Sequence, residues 1–483
     1  MSSWTLDDLM RWDERIREQV EAFGLDVFPQ VFEVCDEEQM LGYMAYHGMP
    51  AHYPHWSYGK SIEKLKTLYG YGVSGLPYEM VINSNESVAY LMQNNSLCLQ
   101  VLTIAHVYGH NDFFKNNYTF KDTHPELTLS NFKSRADRVR KYAEDPAIGV
   151  DAVERVLDAA HALAFNCRRN FGVRKVGPAE QRARALAAAT PGQDPYEHIR
   201  TPVEVELPDL SRVPLEPEQD LLLFIRDYNP YLADWERDLL TVVHEEAQYF
   251  IPQIETKIMN EGWASFWHHR IMTSLDLPQD LRMEFMVHHA QVLTPNPRGI
   301  NPYYLGYKLW HDIIRRCDDP TPEEIELWGP PECTGMEKIF QVREVDRDAS
   351  FLRRFLTPRL MREMDMYEYE KEGGDYVVSR VADDEVWEQV KQTLLRGVGM
   401  GAFPVIRITD ADHNRNRELY LEHEYDGREL ELENAGRTLS YLYQLWGRDV
   451  HLRTWLQDKP VLLSLGEDGP KQRALSRAEV AAG

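Results

Sequence analysis

The stretch from Leu97 to Asn117 carries apolar side chains around almost the full circumference of a helix. A helix that is apolar nearly all round is buried on every side. Two histidines, His106 and His110, interrupt this stretch four residues apart, so both imidazoles lie on one helical face, one turn apart. The pattern therefore predicts a buried helix that carries half of a metal site, because imidazole nitrogens are common zinc ligands. The alternative is a pair of core histidines that bond only to carbonyl groups or water.

The rest of the hydrophobic pattern predicts helices over most of the chain before residue 365. Residues 4–30 have an amphipathic pattern, and residues 31–50 also look helical. Two apolar runs that flank a polar turn predict a β-hairpin at residues 78–93. Further helices are predicted at 130–149, 150–171, 233–249, 256–274, 281–292 and 301–316.

The last hundred residues change to strand-like runs with two helices, which predicts a separate α+β domain at 366–470 and a tail at 471–483. Residues 172–217 are rich in Ala, Pro, Gly and charge, and they predict a loop or linker within the larger part, residues 1–365. The predicted fold class is mainly α with a small β-sheet around a zincin-like metal-site core, followed by the C-terminal α+β domain.

Composition narrows the class of protein further. Of 483 residues, 53 are Lys or Arg and 78 are Asp or Glu, a net charge of −25. Such a negative field repels nucleic acid, so no nucleic-acid partner is expected. The acidic N-terminus is unlike a signal peptide, no apolar run is long enough to span a membrane, and the five cysteines are scattered. These features predict a soluble, cytoplasmic protein.

A second segment supplies a carboxylate for the histidine pair. Glu261 stands in an otherwise apolar, aromatic helical pattern. A buried carboxylate is costly unless a cation or hydrogen bonds compensate it, and a metal held by His106 and His110 would do so. Two imidazoles, one carboxylate and an open position form the ligand set of catalytic zinc hydrolases. His268, seven residues after Glu261, is either a further ligand or a residue directly behind the ligands.

The order of the two segments parallels the gluzincin peptidases, with one departure. Those enzymes carry the motif HExxH, whose glutamate is the general base, whereas this chain has Val107 at that position. A base must therefore come from elsewhere. His244-Glu245 resembles half of the motif, but Gln248 replaces the second histidine. The candidate catalytic residues are Glu261, Glu245 and Tyr108.

Five long strings stand out: NSLCLQVLTIAHV, HVYGHNDFFKNN, TKIMNEGWASFWHH, NPYYLGYKLWHDI and FQVREVDRDASFLRRFLT. They resemble the SpoVR family (stage V sporulation protein R-like proteins), and the resemblance covers nearly the whole chain. The resemblance places His106, His110, Asn111, Glu261 and His268 in family motifs. It implies a link to spore cortex formation or to a stress response, and partnership with a PrkA-type serine kinase and a protein with a von Willebrand factor A (VWA) domain. It implies no settled enzymatic activity.

Three functions remain open from the sequence. The first is a metal-dependent, gluzincin-like hydrolase of peptide or amide bonds, with zinc as the expected divalent metal and a peptide-like substrate. The second is a non-catalytic regulatory or scaffold protein. The third is a non-haem iron oxygenase, because two histidines and one carboxylate also form an iron-binding triad. The metal content of the purified protein distinguishes the three.

Overall fold

The computed structural model describes residues 4–70, 79–169, 176–189, 210, 212–295, 299–366, 369–372, 375–378, 384–476 and 479. The chain forms two compact units, and each unit combines distant parts of the sequence. The first unit contains residues 1–140 and 248–402, and the second contains residues 141–247 and 403–483. The division near residue 365 that the sequence suggests falls inside the first unit.

The structure is mainly helical, with small sheets and a strand-rich C-terminal part. Among the described helices, none combines the length and hydrophobicity needed to cross a bilayer. The helices are α1 (Leu6–Ala22), α2 (Glu37–Ala45), α3 (Trp56–Gly70), α4 (Leu97–Asn116), α5 (Thr128–Glu144), α6 (Val150–Leu163), α7 (Pro178–Ala189), α8 (Leu221–Tyr228), α9 (Asp234–Glu255), α10 (Lys257–Ser274), α11 (Gln279–Val292), α12 (Pro302–Asp318), α13 (Pro322–Trp328), α14 (Gly335–Val345), α15 (Asp348–Phe355), α16 (Pro358–Glu363), α17 (Asp384–Gly397) and α18 (Leu432–Trp446). The strands are β1 (Gln30–Cys35), β2 (Glu79–Ile82), β3 (Ser87–Met92), β4 (Tyr369–Glu372), β5 (Asp375–Val378), β6 (Ile406–His413), β7 (Glu418–His423), β8 (Val450–Leu456), β9 (Lys459–Gly466) and β10 (Gly469–Ala474).

A three-stranded sheet in the first unit has the order β1-β3-β2. Strands β2 and β3 pair antiparallel, which confirms the hairpin predicted at residues 78–93. Strand β1 pairs parallel with β3, with Gln30 opposite Ser87. The helical prediction for residues 31–50 is therefore wrong in its first part and right only from Glu37, where Asp36 caps α2. A short apolar run does not distinguish a strand from a helix, and the partner strand decides the outcome here.

The C-terminal strands form a five-stranded sheet in the order β10-β9-β8-β7-β6, and α18 packs against β8 and β9. The predicted strand-rich character of this part is confirmed. The predicted tail at 471–483 is wrong in its first residues, because β10 pairs antiparallel with β9 from Gly469 to Ala474. Residues 477, 478 and 480–483 lie outside the described residues.

Much of the predicted loop at 172–217 lies outside the described residues. Within its described part, residues 178–189 form helix α7, so the loop prediction is wrong there. The sequence of α7 is PAEQRARALAAA, which is rich in the residues of highest helix propensity. Its proline stands at the first helical position, where a missing N–H costs nothing.

The core of the first unit is built around α4 and α10. Large side chains that are fully buried fill the space between the helices, and glycines set how close the helix backbones come. A Cβ atom on Gly262 of α10 would lie 2.4 Å from the backbone of Gly306 on α12. The largest of the buried side chains are Trp263, Trp267 and Trp310.

Candidate metal centre

Helix α4 holds the histidine pair in a fixed position because it is buried on every side. Ser96 caps its first turn, and the Ser96 Oγ accepts a hydrogen bond of 3.2 Å from the Leu99 N–H. Every residue from Gln100 to Phe114 is buried, which confirms the burial that the apolar pattern predicts. His106 and His110 therefore project from a helix that is packed on all faces, with ring centroids 4.7 Å apart.

Helix α10 supplies the carboxylate. Its N-cap residue, Thr256, makes no side-chain capping bond. The buried carboxylate of Asp348 takes over this role and accepts hydrogen bonds of 2.9 Å from the N–H groups of Ile258 and Met259. These two bonds anchor the first turn of α10, and Glu261 follows within the next turn.

The three side chains converge on one point. The Glu261 Oε2 lies 3.5 Å from the His110 Nε2 and 3.9 Å from the His106 Nε2. Within the described part of the chain, these three residues form the one group of His, Cys, Asp and Glu side chains whose ligand atoms all lie within 4.8 Å of one another. Two ligands about 2.1 Å from a tetrahedral metal are themselves about 3.4 Å apart, so the spacing suits a single ion.

The surroundings of the Glu261 carboxylate are a second reason why the three side chains fit a divalent metal. The Glu261 Oε2 is buried, yet both imidazole nitrogens are farther from it than a good hydrogen bond requires. A buried carboxylate oxygen without a close donor is costly, and a cation between the three side chains would compensate it.

The second ring nitrogen of each histidine has a partner of its own. The His110 Nδ1 lies 2.9 Å from the Asn260 Oδ1, which can only accept, so His110 donates from Nδ1 and its Nε2 carries the lone pair. The His106 Nδ1 lies 2.8 Å from the Nδ1 of His268. Both histidines thus direct Nε2 toward Glu261, and a hydrogen bond at the second ring nitrogen is typical of metal-binding histidines.

The electrostatics of the pocket favour neutral imidazoles and a charged carboxylate. Burial, reinforced by His106, lowers the pKa of His110 to about 4. Burial also lowers the pKa of His268 well below its ordinary value. For Glu261, burial raises the pKa, but His106 and His110 outweigh it, so the net shift is downward. Neutral imidazole and ionised carboxylate are the protonation states that bind metal.

Two protein-family models match the chain. The profile of the SpoVR-like proteins matches residues 3–403, and that of the SpoVR-like C-terminal domain matches residues 404–457. The chain belongs to the SpoVR family. It is also 33% identical over 491 residues to the Escherichia coli K12 protein described as uncharacterized protein YcgB, covering 95% of this chain and 94% of that one. No solved structure matches the chain.

The two SpoVR matches meet between residues 403 and 404, close to the point where the chain returns to its second compact unit at Phe403. The three converging residues and His268 all lie in the first match. Asn111, another motif residue, has a structural role: its side chain exchanges hydrogen bonds with the backbone of Phe28 just before β1.

Tyr108, another residue singled out from the sequence, lies on a different side of α4 from the histidine pair. The hydroxyl group of Tyr108 donates a hydrogen bond of 2.8 Å to Asp13 of α1. Two residues after His106, Tyr108 points to the opposite side of α4. Glu245 is exposed and belongs to the second unit, where the neighbouring His244 Nε2 lies 2.8 Å from the Asp220 Oδ2.

Four residues that surround the centre escaped the sequence reasoning. Tyr303 stacks on His106 with ring centroids 6.1 Å apart, Asn260 orients His110, Asp348 anchors α10, and His289 contacts His268. Asn260 could have been found from its place beside Glu261. The other three come from segments whose packing on α4 and α10 has no local signal.

Proposed function

We propose that His106, His110 and Glu261 bind one divalent metal ion, zinc in the first instance, and that the protein is a zincin-like, metal-dependent hydrolase of peptide or amide bonds. The convergence of two Nε2 atoms on one buried carboxylate oxygen carries this proposal. The set leaves coordination positions for water and substrate, as catalytic zinc sites do.

A bound metal would polarise a carbonyl group and lower the pKa of its bound water. The protein would hold the ion with three side chains and limit the access of bulk water, since the side chains of His106 and His110 are only 4% and 8% exposed. Glu261 is a ligand in this arrangement, so the general base is a separate group. Glu245 stays a proposal for that role.

A non-haem iron oxygenase is the second candidate function. Val107, which replaces the glutamate of the hydrolase motif, is fully buried and apolar and offers no base. Two histidines and one carboxylate with open positions are also the ligand set of iron(II) oxygenases. The same three residues would bind the metal in both cases, so the identity of the ion separates the two proposals.

The third proposal, a scaffold that acts with a PrkA-type serine kinase and a VWA protein, rests on the family resemblance, as does a link to cortex formation or stress. A cytoplasmic location is proposed from the scattered cysteines. In that case a metal would be structural or absent. Family membership itself supports none of the three activities over the others.

The test is elemental analysis of the protein purified without added metal or chelator. We expect about one equivalent of zinc per chain, and loss of that metal in the His110→Ala variant with an unchanged helical CD spectrum. His124→Ala, which alters a histidine whose side chain is 66% exposed, is the matched control and keeps the metal. Iron in place of zinc selects the oxygenase. Absence of bound metal, or equal metal in both variants, overturns the proposed centre.

A further inference from the structure

A chain of hydrogen-bonded imidazoles runs outward from the candidate metal centre. The His106 Nδ1 lies 2.8 Å from the His268 Nδ1, and the His268 Nε2 lies 2.8 Å from the His289 Nδ1. All three side chains are buried, and they come from three different helices, α4, α10 and α11.

Which imidazole donates and which accepts at each of these hydrogen bonds depends on what the His106 Nε2 binds. A neutral imidazole has one N–H donor and one acceptor nitrogen. If the His106 Nε2 lone pair binds a metal, its Nδ1 must carry the hydrogen and donate to His268. The Nε2 of His268 must then donate to the His289 Nδ1. One coordination bond thus determines the tautomers of three residues.

The last imidazole of the chain is itself held firmly. The ring of His289 stacks on that of His269 with centroids 4.5 Å apart and an angle of 15° between the planes. The ring of Phe285, one turn earlier on α11, has its centroid 5.7 Å from that of His289. The acceptor nitrogen of His289 therefore has a defined position and supports a defined orientation of His268.

We propose that His289, acting through His268, is a positioning residue for the metal centre: its Nδ1 keeps His106 in the tautomer and orientation that present Nε2 to the ion. This inference rests on the proposed metal binding. It assigns a role to a residue of α11, a helix that contributes no ligand. His110 is oriented by a single hydrogen bond to Asn260, whereas His106 is oriented by a series of two hydrogen bonds through His268 to His289.

The experiment compares His289→Leu with His289→Asn. Leucine removes the acceptor, whereas the asparagine Oδ1 can take the place of the imidazole Nδ1. We measure the affinity for Zn²⁺ by competition with a chromophoric chelator, the visible spectrum of the Co²⁺-loaded protein, and the melting temperature without metal. The matched control is His288→Leu, which alters the neighbouring histidine on α11, whose Nε2 lies 3.4 Å from Glu284 and is outside the chain.

We expect His289→Leu to bind Zn²⁺ about 10-fold or more weakly and to alter the Co²⁺ spectrum, because the loss of such outer partners typically costs 10- to 100-fold in affinity. His289→Asn should lie close to wild type, and so should His288→Leu. If His289→Leu does not fold, His289→Asn is compared with His289→Ser instead. The asparagine Oδ1 reaches His268, whereas the shorter serine hydroxyl does not.

The outcomes separate this inference from the proposed function. If wild type binds no metal, or His106→Ala binds as tightly as wild type, the metal centre itself is wrong. If wild type binds stoichiometrically, His106→Ala does not, and His289→Leu binds like wild type, only the positioning role is wrong. Equal weakening by leucine and asparagine also overturns it, because the acceptor atom would then be irrelevant.

Discussion

A Cβ atom placed on Gly109 would lie 2.6 Å from the Cα of Ala264. The two residues face each other where α4 and α10 pack closely. Gly109 directly precedes His110 in the sequence, and Ala264 follows Glu261 by three residues. The missing side chain lets the two backbones approach closely enough for ligands on different helices to meet.

The Gly109→Ala variant should therefore be destabilised. Adding one methyl group against a backbone forces the helices apart, and we expect a loss of about 1–3 kcal/mol in the free energy of unfolding. Urea denaturation measures it. Gly59→Ala, an exposed helical position with nothing within 4 Å of the added Cβ, is the control and should be neutral or slightly stabilising. Equal stability of both variants would contradict the close packing.

The buried ion pair of Arg343 and Asp112 should contribute more to the free energy of unfolding than the packing at Gly109 does. The Arg343 Nη1 lies 2.7 Å from both carboxylate oxygens of Asp112, and the Trp263 Nε1 donates to the same carboxylate at 2.8 Å. Burial raises the pKa of Asp112, while the Arg343 guanidinium opposes that shift. Removing one partner of a buried pair leaves an uncompensated charge and typically costs about 3–5 kcal/mol.

Arg343→Met should show this loss in chemical denaturation. Lys66→Met is the matched control, because it breaks a pair with Glu38 on the surface of the same unit. Such exposed pairs contribute about 0–1 kcal/mol. A similar loss in the two variants would show that the buried pair has no special weight.

The pair of Glu324 and Arg315 should make stability depend on pH. The hydrogen bond from Arg315 lowers the pKa of Glu324 to about 2 from its ordinary 4.5. Because the folded-state pKa is depressed, the contribution is present above about pH 4.5 and is lost as the pH falls toward about 2. Exposure to solvent limits it to about 1 kcal/mol.

Glu324→Gln tests this dependence, because glutamine keeps the capping position at the start of α13 and removes only the charge. We expect the variant to be less stable than wild type at about pH 6 and to approach it at about pH 3, as measured by urea unfolding. A stability difference that stays constant between the two pH values would contradict the assignment.

Metal binding should also appear as thermal stabilisation. Zn²⁺ that binds only the folded state at 100 times its dissociation constant adds about 2.7 kcal/mol. We expect the melting temperature of wild type to rise with Zn²⁺ and to fall back with a chelator. Glu261→Gln, which removes the charged ligand at nearly constant size, should lose this response.

Glu245→Gln is the matched control for that measurement, since it makes the same substitution at an exposed carboxylate outside the group of three. The control should keep the full rise in melting temperature. Identical responses of Glu261→Gln and wild type would exclude Glu261 as a ligand.

Features that arise within one segment of the chain follow from the amino-acid sequence alone. The helical period places His106 and His110 on one face whatever surrounds them, and the apolar circumference of α4 requires burial. The hairpin of β2 and β3 followed from two apolar runs and a turn. The motif strings were sufficient to identify the family. Helix α7 also follows from its own segment, because its alanine-rich sequence has a high helix propensity that outweighs the neighbouring Pro and Gly residues.

Which distant segments meet becomes visible only in the folded protein. Asn260 and His110 are 150 residues apart in sequence, and their contact depends on Gly109, which lets α4 and α10 approach. The sequence left open whether His268 binds the metal or lies behind a ligand, and the structure places it 2.8 Å from the His106 Nδ1. Two further features could not be predicted from the sequence. These are the parallel pairing of β1 with β3 and the assembly of each compact unit from separated segments. Local periodicity specifies an element and its buried face, but the partner of that face depends on shape and polar complementarity between segments far apart in the chain.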